Sequence, residues 1–275
     1  MIRFSIFLIL ISIGCTKISV DPNGNVEINS LVSNSETSGS VKSLEFYKEN
    51  IKQKKHLSYK EARRILFGKI HLEGNGNSMR IKDIYCIKNF KNSDISTKFK
   101  LGRNKIPDHR ILNAEHVWPK SRFFASSRRK RKKYKSYEFK IREADLHILY
   151  PSDSSVNSTR SSYKFGEVID DMQSEKIGCS NAQIGKARLK GKVSRSLFFE
   201  PPQESKGNVA RAMFYYSFRY NEPIEFYEEE FLKKWHELDP PDDIERRRND
   251  LIEQAQGNRN PFIDHPELVK RISDF

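Results

Sequence analysis

The 275-residue sequence has little cysteine, no evident internal repeat and no apolar run long enough to span a bilayer comfortably. It also lacks helix-turn-helix and zinc-finger signatures, so it contains no recognisable module for reading nucleobases. Acidic residues are in the minority: 36 Asp and Glu stand against 50 Lys and Arg, for a formal net charge of +14. That excess favours a polyanionic partner, which could be nucleic acid, an anionic membrane surface or an acidic polysaccharide.

Aromatic residues, by contrast, are plentiful. The chain has 18 Phe and 11 Tyr, and 36% of its residues are hydrophobic. This composition supplies a core for one good-sized domain or two small ones and excludes a disordered protein.

The N-terminus, MIRFSIFLILISIGC, has one Arg followed by an apolar run and a small residue, which is typical of a secretory signal. We therefore predict export, with residues 1–14 as the signal peptide. Gly14 directly before Cys15 resembles a bacterial lipoprotein cleavage site, although Ser12 stands where Leu is usual. Lipidation of Cys15 would anchor the protein to a membrane. Simple signal cleavage and an uncleaved anchor are the alternatives.

Two further cysteines, Cys86 and Cys179, remain after Cys15 is set aside. In an exported protein they either form a disulfide, which would stabilise the fold by a few kcal/mol, or remain free and buried.

The chain changes character near residue 43. Residues 15–42 contain no aromatic residue and are rich in Ser, Asn, Thr and Gly, which predicts a flexible tether before a domain over residues 43–275. In that domain we predict a helix capped by Ser58, strands over residues 80–87 and 144–151, and another strand ending at Glu115. For residues 80–87 a helix is the alternative. Three later helices are predicted, starting near Asn208, spanning residues 226–238, and running from residues 240–242 to 257. Together these helices and strands predict an α+β fold.

Adjacent Glu115 and His116 are the first candidates for chemistry. If the chain bends after the strand, the carboxylate can hold a divalent cation while the imidazole takes a proton from water. The amide oxygen of Asn157 is a second hard ligand, although Asn also favours helix caps. Arg160 would share a helical face with Asn157 and could grip a phosphate.

Arg160 has a plainer alternative, an ion pair with Asp145 or Asp153. His147 lies in an apolar run, where a structural role is favoured over a catalytic one.

A run of six basic residues over 128–133 cannot be a buried element and predicts an exposed loop or helix. Tyr134 and Tyr137 follow it, and cations beside aromatic rings suit contact with nucleic acid. An ordinary solvated face is the alternative. The predicted substrate contacts are Arg128, Arg129, Lys130 and Arg131.

Four separated stretches together resemble the endonuclease I family of bacterial periplasmic and secreted nucleases, whose active site is of the ββα-metal, or His-Me finger, type. They are EHVWPKS, DLHILYPSDSSVNSTRS, FEPPQESKGNVARAMFYYSFRY and QGNRNPFIDHP, and the similarity covers roughly residues 45 to 270. The sequence departs from the usual pattern at Ser162, where family members commonly have Asn.

The resemblance implies that His116 is the general base and that Glu115 and Asn157 bind one divalent ion. Mg²⁺ is expected, with Ca²⁺ or Mn²⁺ as alternatives. The implied protein is a monomeric endonuclease with little sequence preference, cutting DNA, with RNA as an alternative substrate, and leaving 5′-phosphates. It would be periplasmic, membrane-anchored or secreted.

Two other functions remain open. A non-catalytic surface lipoprotein could use the same basic residues to bind DNA or another polyanion. A zinc-dependent hydrolase could use His116 and His147, although the sequence offers no third ligand at a characteristic spacing.

Overall fold

The computed structural model describes residues 16–20, 26–30, 42–95, 97–125, 136–171 and 178–275. The predicted signal peptide, Cys15 and the basic run 128–133 lie outside these residues. The chain divides into two units, Met1–Ser43 and Leu44–Phe275. Within the described residues, no helix is both long and apolar enough to cross a bilayer.

The N-terminal unit contains two antiparallel strands, β1 (Thr16–Val20) and β2 (Val26–Ser30), with Ile18 opposite Ile28. The sequence led us to expect a flexible tether over residues 15–42, and the two strands differ from that expectation for a physical reason. β-branched residues stand at every second position of β1 (Thr16, Ile18 and Val20) and at Val26 and Ile28 in β2, and DPNGN between the strands has the composition of a turn.

The second unit mixes helices with small sheets, which confirms the α+β class. Its helices are α1 (Leu44–Asn50), α2 (Tyr59–Ile65), α3 (Tyr137–Glu143), α4 (Ser154–Arg160), α5 (Lys206–Tyr220), α6 (Phe226–Leu238), α7 (Asp243–Gln256) and α8 (Pro261–Asp264). Its strands are β3 (Arg80–Lys82), β4 (Asn89–Lys91), β5 (Leu112–His116), β6 (Leu149–Asp153), β7 (Lys164–Phe165), β8 (Val168–Asp171), β9 (Gln183–Leu189) and β10 (Lys192–Glu200).

The described strands of this unit form three sheets. Strands β3 and β4 pair antiparallel, as do β5 and β6, and a four-stranded sheet has the order β7-β10-β9-β8. Strand β7 runs parallel to β10, whereas β9 is antiparallel to both of its neighbours. The four-stranded sheet was not predicted from the sequence.

Local capping explains several element boundaries. Ser58 and Glu61 form the predicted capping box at the start of α2. Helix α7 begins after Asp242, whose carboxylate accepts the Glu245 N–H at 2.7 Å, and it ends at Gly257 in the left-handed region, as predicted. Helix α5 begins before the predicted Asn208 because a 3₁₀ turn over Gln203–Ser205 leads directly into it.

The strand predicted over residues 80–87 is short for a different reason. It stops after Lys82 because the buried Asp83 carboxylate accepts hydrogen bonds from the backbone N–H groups of Tyr85, Cys86 and Lys88, which folds the chain into a turn.

Cys86 is paired with Cys179, with 5.7 Å between their Cα atoms. The structure therefore selects the disulfide from the two alternatives. A cross-link over 93 residues of sequence stabilises by about 4–5 kcal/mol in the chain-entropy picture.

The antiparallel pair of strands β5 and β6 lies between two hydrophobic clusters. Leu112 and Leu149 belong to a cluster that includes Leu66 and Ile252, whereas Tyr150, with Ile148 just before β6, belongs to a larger cluster that includes residues of α5. Packing on both sides holds the strand pair in a fixed position.

Charged and amide side chains of FEPPQESKGNVARAMFYYSFRY and QGNRNPFIDHP hold parts of the fold together. The Arg211 guanidinium pairs with the buried Glu245 carboxylate at 2.5 Å, and Lys206 pairs with Glu200 at 2.6 Å. In QGNRNPFIDHP, Asn258 and Asn260 are buried and donate hydrogen bonds to the carbonyls of Ile51 and Arg211.

Candidate active site

Strands β5 and β6 and helix α4 form a ββα unit. The two strands pair in antiparallel register from Leu112 opposite Asp153 to His116 opposite Leu149. Helix α4 follows β6 without a linker because the Asp153 side chain caps it, accepting the Ser155 N–H at 2.9 Å. The end of β5 and the exposed side of α4 are thereby brought together.

One cleft is bordered by this unit and by the start of α2. It contains all three residues of the predicted centre, Glu115, His116 and Asn157. The complete lining is Tyr59, Ala114, Glu115, His116, Pro119, Lys120, Ser121, Asn157, Ser158, Arg160, Ser161 and Ser162.

Glu115 is held by two buried partners. Its Oε1 accepts a 2.7 Å hydrogen bond from the Tyr85 hydroxyl and lies 3.0 Å from the Arg160 guanidinium. Burial raises the pKa of the Glu115 carboxyl above its usual range, while Arg160 and Tyr85 oppose that shift. The carboxylate is thus fixed in orientation at the edge of the cleft, where a cation would favour its charged form.

His116 is 6% exposed, and one of its ring nitrogens makes a hydrogen bond. Nε2 lies 2.9 Å from the backbone carbonyl of Glu143, and because a carbonyl only accepts, Nε2 carries the proton. Nδ1 keeps its lone pair. Burial lowers the pKa of His116 to about 3, with Lys120 and Arg160 adding to the effect, so the ring is neutral at neutral pH.

Tyr59 and Phe123 flank the His116 ring, with centroids 5.6 and 6.1 Å from it. Tyr59 is itself partly buried, and that burial raises the pKa of its hydroxyl to about 12. These contacts fix the plane of the imidazole.

Asn157 lies on α4, one turn before Arg160. Its Nδ2 donates a 2.7 Å hydrogen bond to Oδ1 of Asn113, so the amide nitrogen is engaged and the amide oxygen is left as the ligand atom. The alternative role of Asn157 as a helix cap is not what the structure shows, because Asp153 is the cap.

Arg160 takes a position that differs from the predicted phosphate clamp. It has 0% exposure, and besides Glu115 its guanidinium binds the Val117 carbonyl at 2.8 Å and packs 4.5 Å above the Phe165 ring. Its ion pair is formed with Glu115 and not with Asp145 or Asp153. In this structure, Arg160 holds the end of β5 in place.

His147 stands apart from the cleft. It is fully buried, and its Nε2 donates to the Asn258 carbonyl at 3.2 Å. Burial lowers the pKa of His147 to about 3. Among the described residues no group of three or more His, Cys, Asp or Glu side chains is arranged to hold a metal, so the zinc alternative gains no support.

The cleft does suit a hard divalent cation. It offers one carboxylate and one amide oxygen from neighbouring elements, and waters can complete the coordination of Mg²⁺ or Ca²⁺. The Asn113 hydrogen bond is the observation that favours this fit, since it occupies the nitrogen of Asn157 and not its oxygen. Glu115 and Asn157 would hold the ion.

Several residues that shape the site were missed from the sequence. Tyr85 and the Glu143 carbonyl are distant in sequence and carry no local signal. Asn113 had one: it lies two residues before Glu115 in the same strand, so the two side chains point to the same face. Lys120, which is paired with Glu143 at 3.0 Å, was visible only as part of the EHVWPKS motif.

Comparison with known proteins shows the family to which the chain belongs. The family described as Endonuclease I matches residues 40–267 of the chain. An extracellular ribonuclease of Bacillus subtilis (strain 168) is 33% identical over 179 residues, which is 58% of this chain and 53% of that protein. Endonuclease-1 of Buchnera aphidicola subsp. Acyrthosiphon pisum is 30% identical over 178 residues, which is 61% of this chain and 65% of that protein.

A periplasmic deoxyribonuclease of Aeromonas hydrophila is 32% identical over 130 residues, covering 47% of this chain and 51% of that protein. The chain thus spans between about half and two thirds of the length of these relatives.

Proposed function

Because the chain belongs to the endonuclease I family, we propose that it is an exported, metal-dependent endonuclease of the His-Me finger type that hydrolyses phosphodiester bonds. The observation that carries the proposal is the meeting of Glu115, His116 and Asn157 in one cleft on a ββα unit. The relatives named as nucleases acting outside the cytoplasm support export and a nucleic-acid substrate.

His116 is the general base in the proposed reaction. Its Nδ1 accepts a proton from a water molecule, while the Glu143 carbonyl keeps the ring in the required tautomer. The water oxygen forms a bond to phosphorus as the bond to the 3′-oxygen breaks, which leaves a 5′-phosphate. A Mg²⁺ ion held by Glu115 and Asn157 would stabilise the negative charge that develops on the phosphate and the leaving oxygen.

Surrounding residues keep this arrangement in place. Tyr85 and Arg160 orient the Glu115 carboxylate, and Asn113 orients the Asn157 amide. Ser162 lines the cleft at the position where family members commonly have Asn, and a serine hydroxyl there gives a shorter hydrogen-bonding group.

DNA is the substrate we favour, with RNA as the alternative, since the relatives include proteins named for each. Arg128, Arg129, Lys130 and Arg131 remain predicted contacts to the nucleic-acid backbone. Anchoring through lipidated Cys15 and a monomeric state complete the proposal.

A plasmid assay tests the function directly. Purified protein is incubated with supercoiled plasmid and, separately, with RNA, each with Mg²⁺ or with EDTA. We expect Mg²⁺-dependent nicking and degradation of plasmid by the wild type and none by His116→Ala. Plasmid that stays intact but is still bound by the wild type would reject the enzyme and favour the surface polyanion-binding lipoprotein.

A further inference from the structure

A strongly basic two-stranded ribbon projects from the four-stranded sheet. We use the name distal ribbon for residues 188–195, RLKGKVSR, the turn that joins β9 to β10 with its flanking residues. It contains four cationic residues and no acidic residue: Arg188, Lys190, Lys192 and Arg195, all exposed.

The sheet explains why the distal ribbon projects. Strand β8 pairs with β9 no further than Ala187, and β7 pairs with β10 only at Phe198 and Phe199. Among the strands that the structure describes, none therefore pairs with residues 188–195 from outside the ribbon. The register between β9 and β10 shifts between Val193 and Leu197, where the Ser194 hydroxyl accepts the Ala187 N–H at 3.0 Å.

The charges of the distal ribbon lie on both of its faces. Arg188 is opposite Val193 and Lys192 is opposite Leu189, and because opposed residues share a face, the two cations point to opposite sides. Among the described residues, Arg188, Lys192 and Arg195 have no carboxylate within ion-pair distance. Lys190 differs, since it pairs with Glu230 at 3.0 Å and lies over the Phe226 ring, which fastens the ribbon to α6.

The distal ribbon and the cleft lie beyond the same end of the sheet. Strand β7 is parallel to β10, with Lys164 opposite Phe198. Following both strands towards their N-termini leads from Lys164 to Ser162 at the edge of the cleft and from Phe198 to Arg195 in the ribbon.

We propose that the distal ribbon is a second nucleic-acid contact, which binds backbone phosphates of the substrate outside the cleft through Arg188, Lys192 and Arg195. This proposal rests on the proposed function. A narrow ribbon with cations on both faces suits a nucleic-acid groove, where phosphates lie on either side. A membrane surface would contact one face only. The expected contribution is to affinity for long substrates and not to the chemical step.

Salt dependence of binding tests the proposal. The protein carries His116→Ala so that substrate stays intact, and Ca²⁺ replaces Mg²⁺. Anisotropy of a labelled DNA duplex gives the affinity over a range of NaCl concentrations. We expect Arg188→Gln/Lys192→Gln/Arg195→Gln to reduce the slope of log affinity against log salt by about 2 to 3, since each lost phosphate contact removes about 0.9.

A matched variant controls for net charge. Lys100→Gln/Arg103→Gln/Lys105→Gln removes the same charge from exposed residues that do not line the cleft, and we expect its slope to stay near that of the parent. With an active His116, the ribbon variant should lose activity on long duplex DNA by about 10-fold or more and keep activity on a short oligonucleotide.

The proposal would be overturned if the ribbon variant and its parent had the same slope of log affinity against log salt. It would also be overturned if the ribbon and control variants reduced that slope equally. An unchanged DNA slope combined with lost binding to phosphatidylglycerol vesicles would overturn it too and would make the ribbon a membrane contact. Failure of the proposed function is separate: a wild type that binds DNA with a ribbon-dependent slope but never cuts it rejects only the nuclease.

Discussion

The amide nitrogen of Asn157 donates a 2.7 Å hydrogen bond to the side-chain oxygen of Asn113, which joins helix α4 to strand β5. The Asn113 nitrogen in turn donates to the Ser154 hydroxyl at 3.2 Å. This chain of hydrogen bonds decides which atom of Asn157 is available to a cation. A residue two positions from Glu115 thus controls the second proposed metal ligand.

We expect Asn113→Leu to raise the Mg²⁺ concentration needed for half-maximal cleavage by about 10-fold or more, because removing a residue that orients a metal ligand weakens metal binding by about that factor. Asn113→Asp should stay close to the wild type, because an ionised carboxylate accepts the same hydrogen bond from Asn157. Mg²⁺ titrations of cleavage compare the three proteins, and thermal denaturation without metal shows whether each is folded. An Asp variant as impaired as the Leu variant would mean that the Asn157 amide has the opposite orientation.

His116→Ala should lower cleavage by about 100-fold or more, since a general base contributes that much to the rate. Affinity for a DNA duplex in Ca²⁺ should change little, because the ring contacts Tyr59, Phe123 and the Glu143 carbonyl and holds no charge at neutral pH. Single-turnover kinetics and anisotropy separate the two effects. His147→Ala is the contrasting variant, expected to lower stability. Near-wild-type turnover of His116→Ala would remove the general base from this site.

Sequence patterns predicted the residues that line the cleft but not the residues that hold them in position. Glu115, His116 and Asn157 were predicted together because carboxylate, imidazole and amide groups suit the proposed chemistry, and the structure brings these three residues into one cleft. The capped helices α2 and α7 were found from local signals. Tyr85 could not be found this way, because only the turn at Asp83 and the Cys86–Cys179 bond bring its hydroxyl to Glu115.

Arg160 is buried against Glu115, which the sequence did not predict. Helical spacing put it on the face of Asn157, but its length and the buried carboxylate of Glu115 let it turn into the protein. The four-stranded sheet was missed because the turn signals between β8, β9 and β10 are too weak for the sequence alone to mark three separate strands.

Arg160→Leu should lower the free energy of unfolding by about 3–5 kcal/mol, because it leaves the Glu115 carboxylate buried without its cation. Chemical denaturation measures the change, and Arg103→Leu, at an exposed position, is the control with little expected effect. Adding Glu115→Gln to Arg160→Leu should restore part of the stability. If Arg160→Leu is as stable as the wild type but binds DNA more weakly, Arg160 contacts phosphate as the sequence first suggested.

The ionisation of Asp145 makes the stability of the domain depend on pH. Its carboxylate is fully buried and accepts hydrogen bonds from the Gln256 amide at 2.9 Å and the Tyr220 hydroxyl at 2.8 Å. Burial alone would raise the pKa of Asp145, but Arg219, His147 and these hydrogen bonds outweigh it and lower the pKa below its usual value of 3.8.

A lowered pKa in the folded state means that Asp145 stabilises the fold above the pKa of the unfolded chain and loses that contribution as pH falls through the folded pKa. We therefore expect Asp145→Asn to destabilise the protein near neutral pH by about 2–4 kcal/mol, through buried donors left without a charged acceptor. The difference from wild type should shrink below about pH 4. Asp243→Asn, at a fully exposed carboxylate, controls for the lost charge. Urea denaturation at several pH values measures both variants. A difference between Asp145→Asn and wild type that does not change between neutral and acid pH would show that Asp145 is not the titrating group.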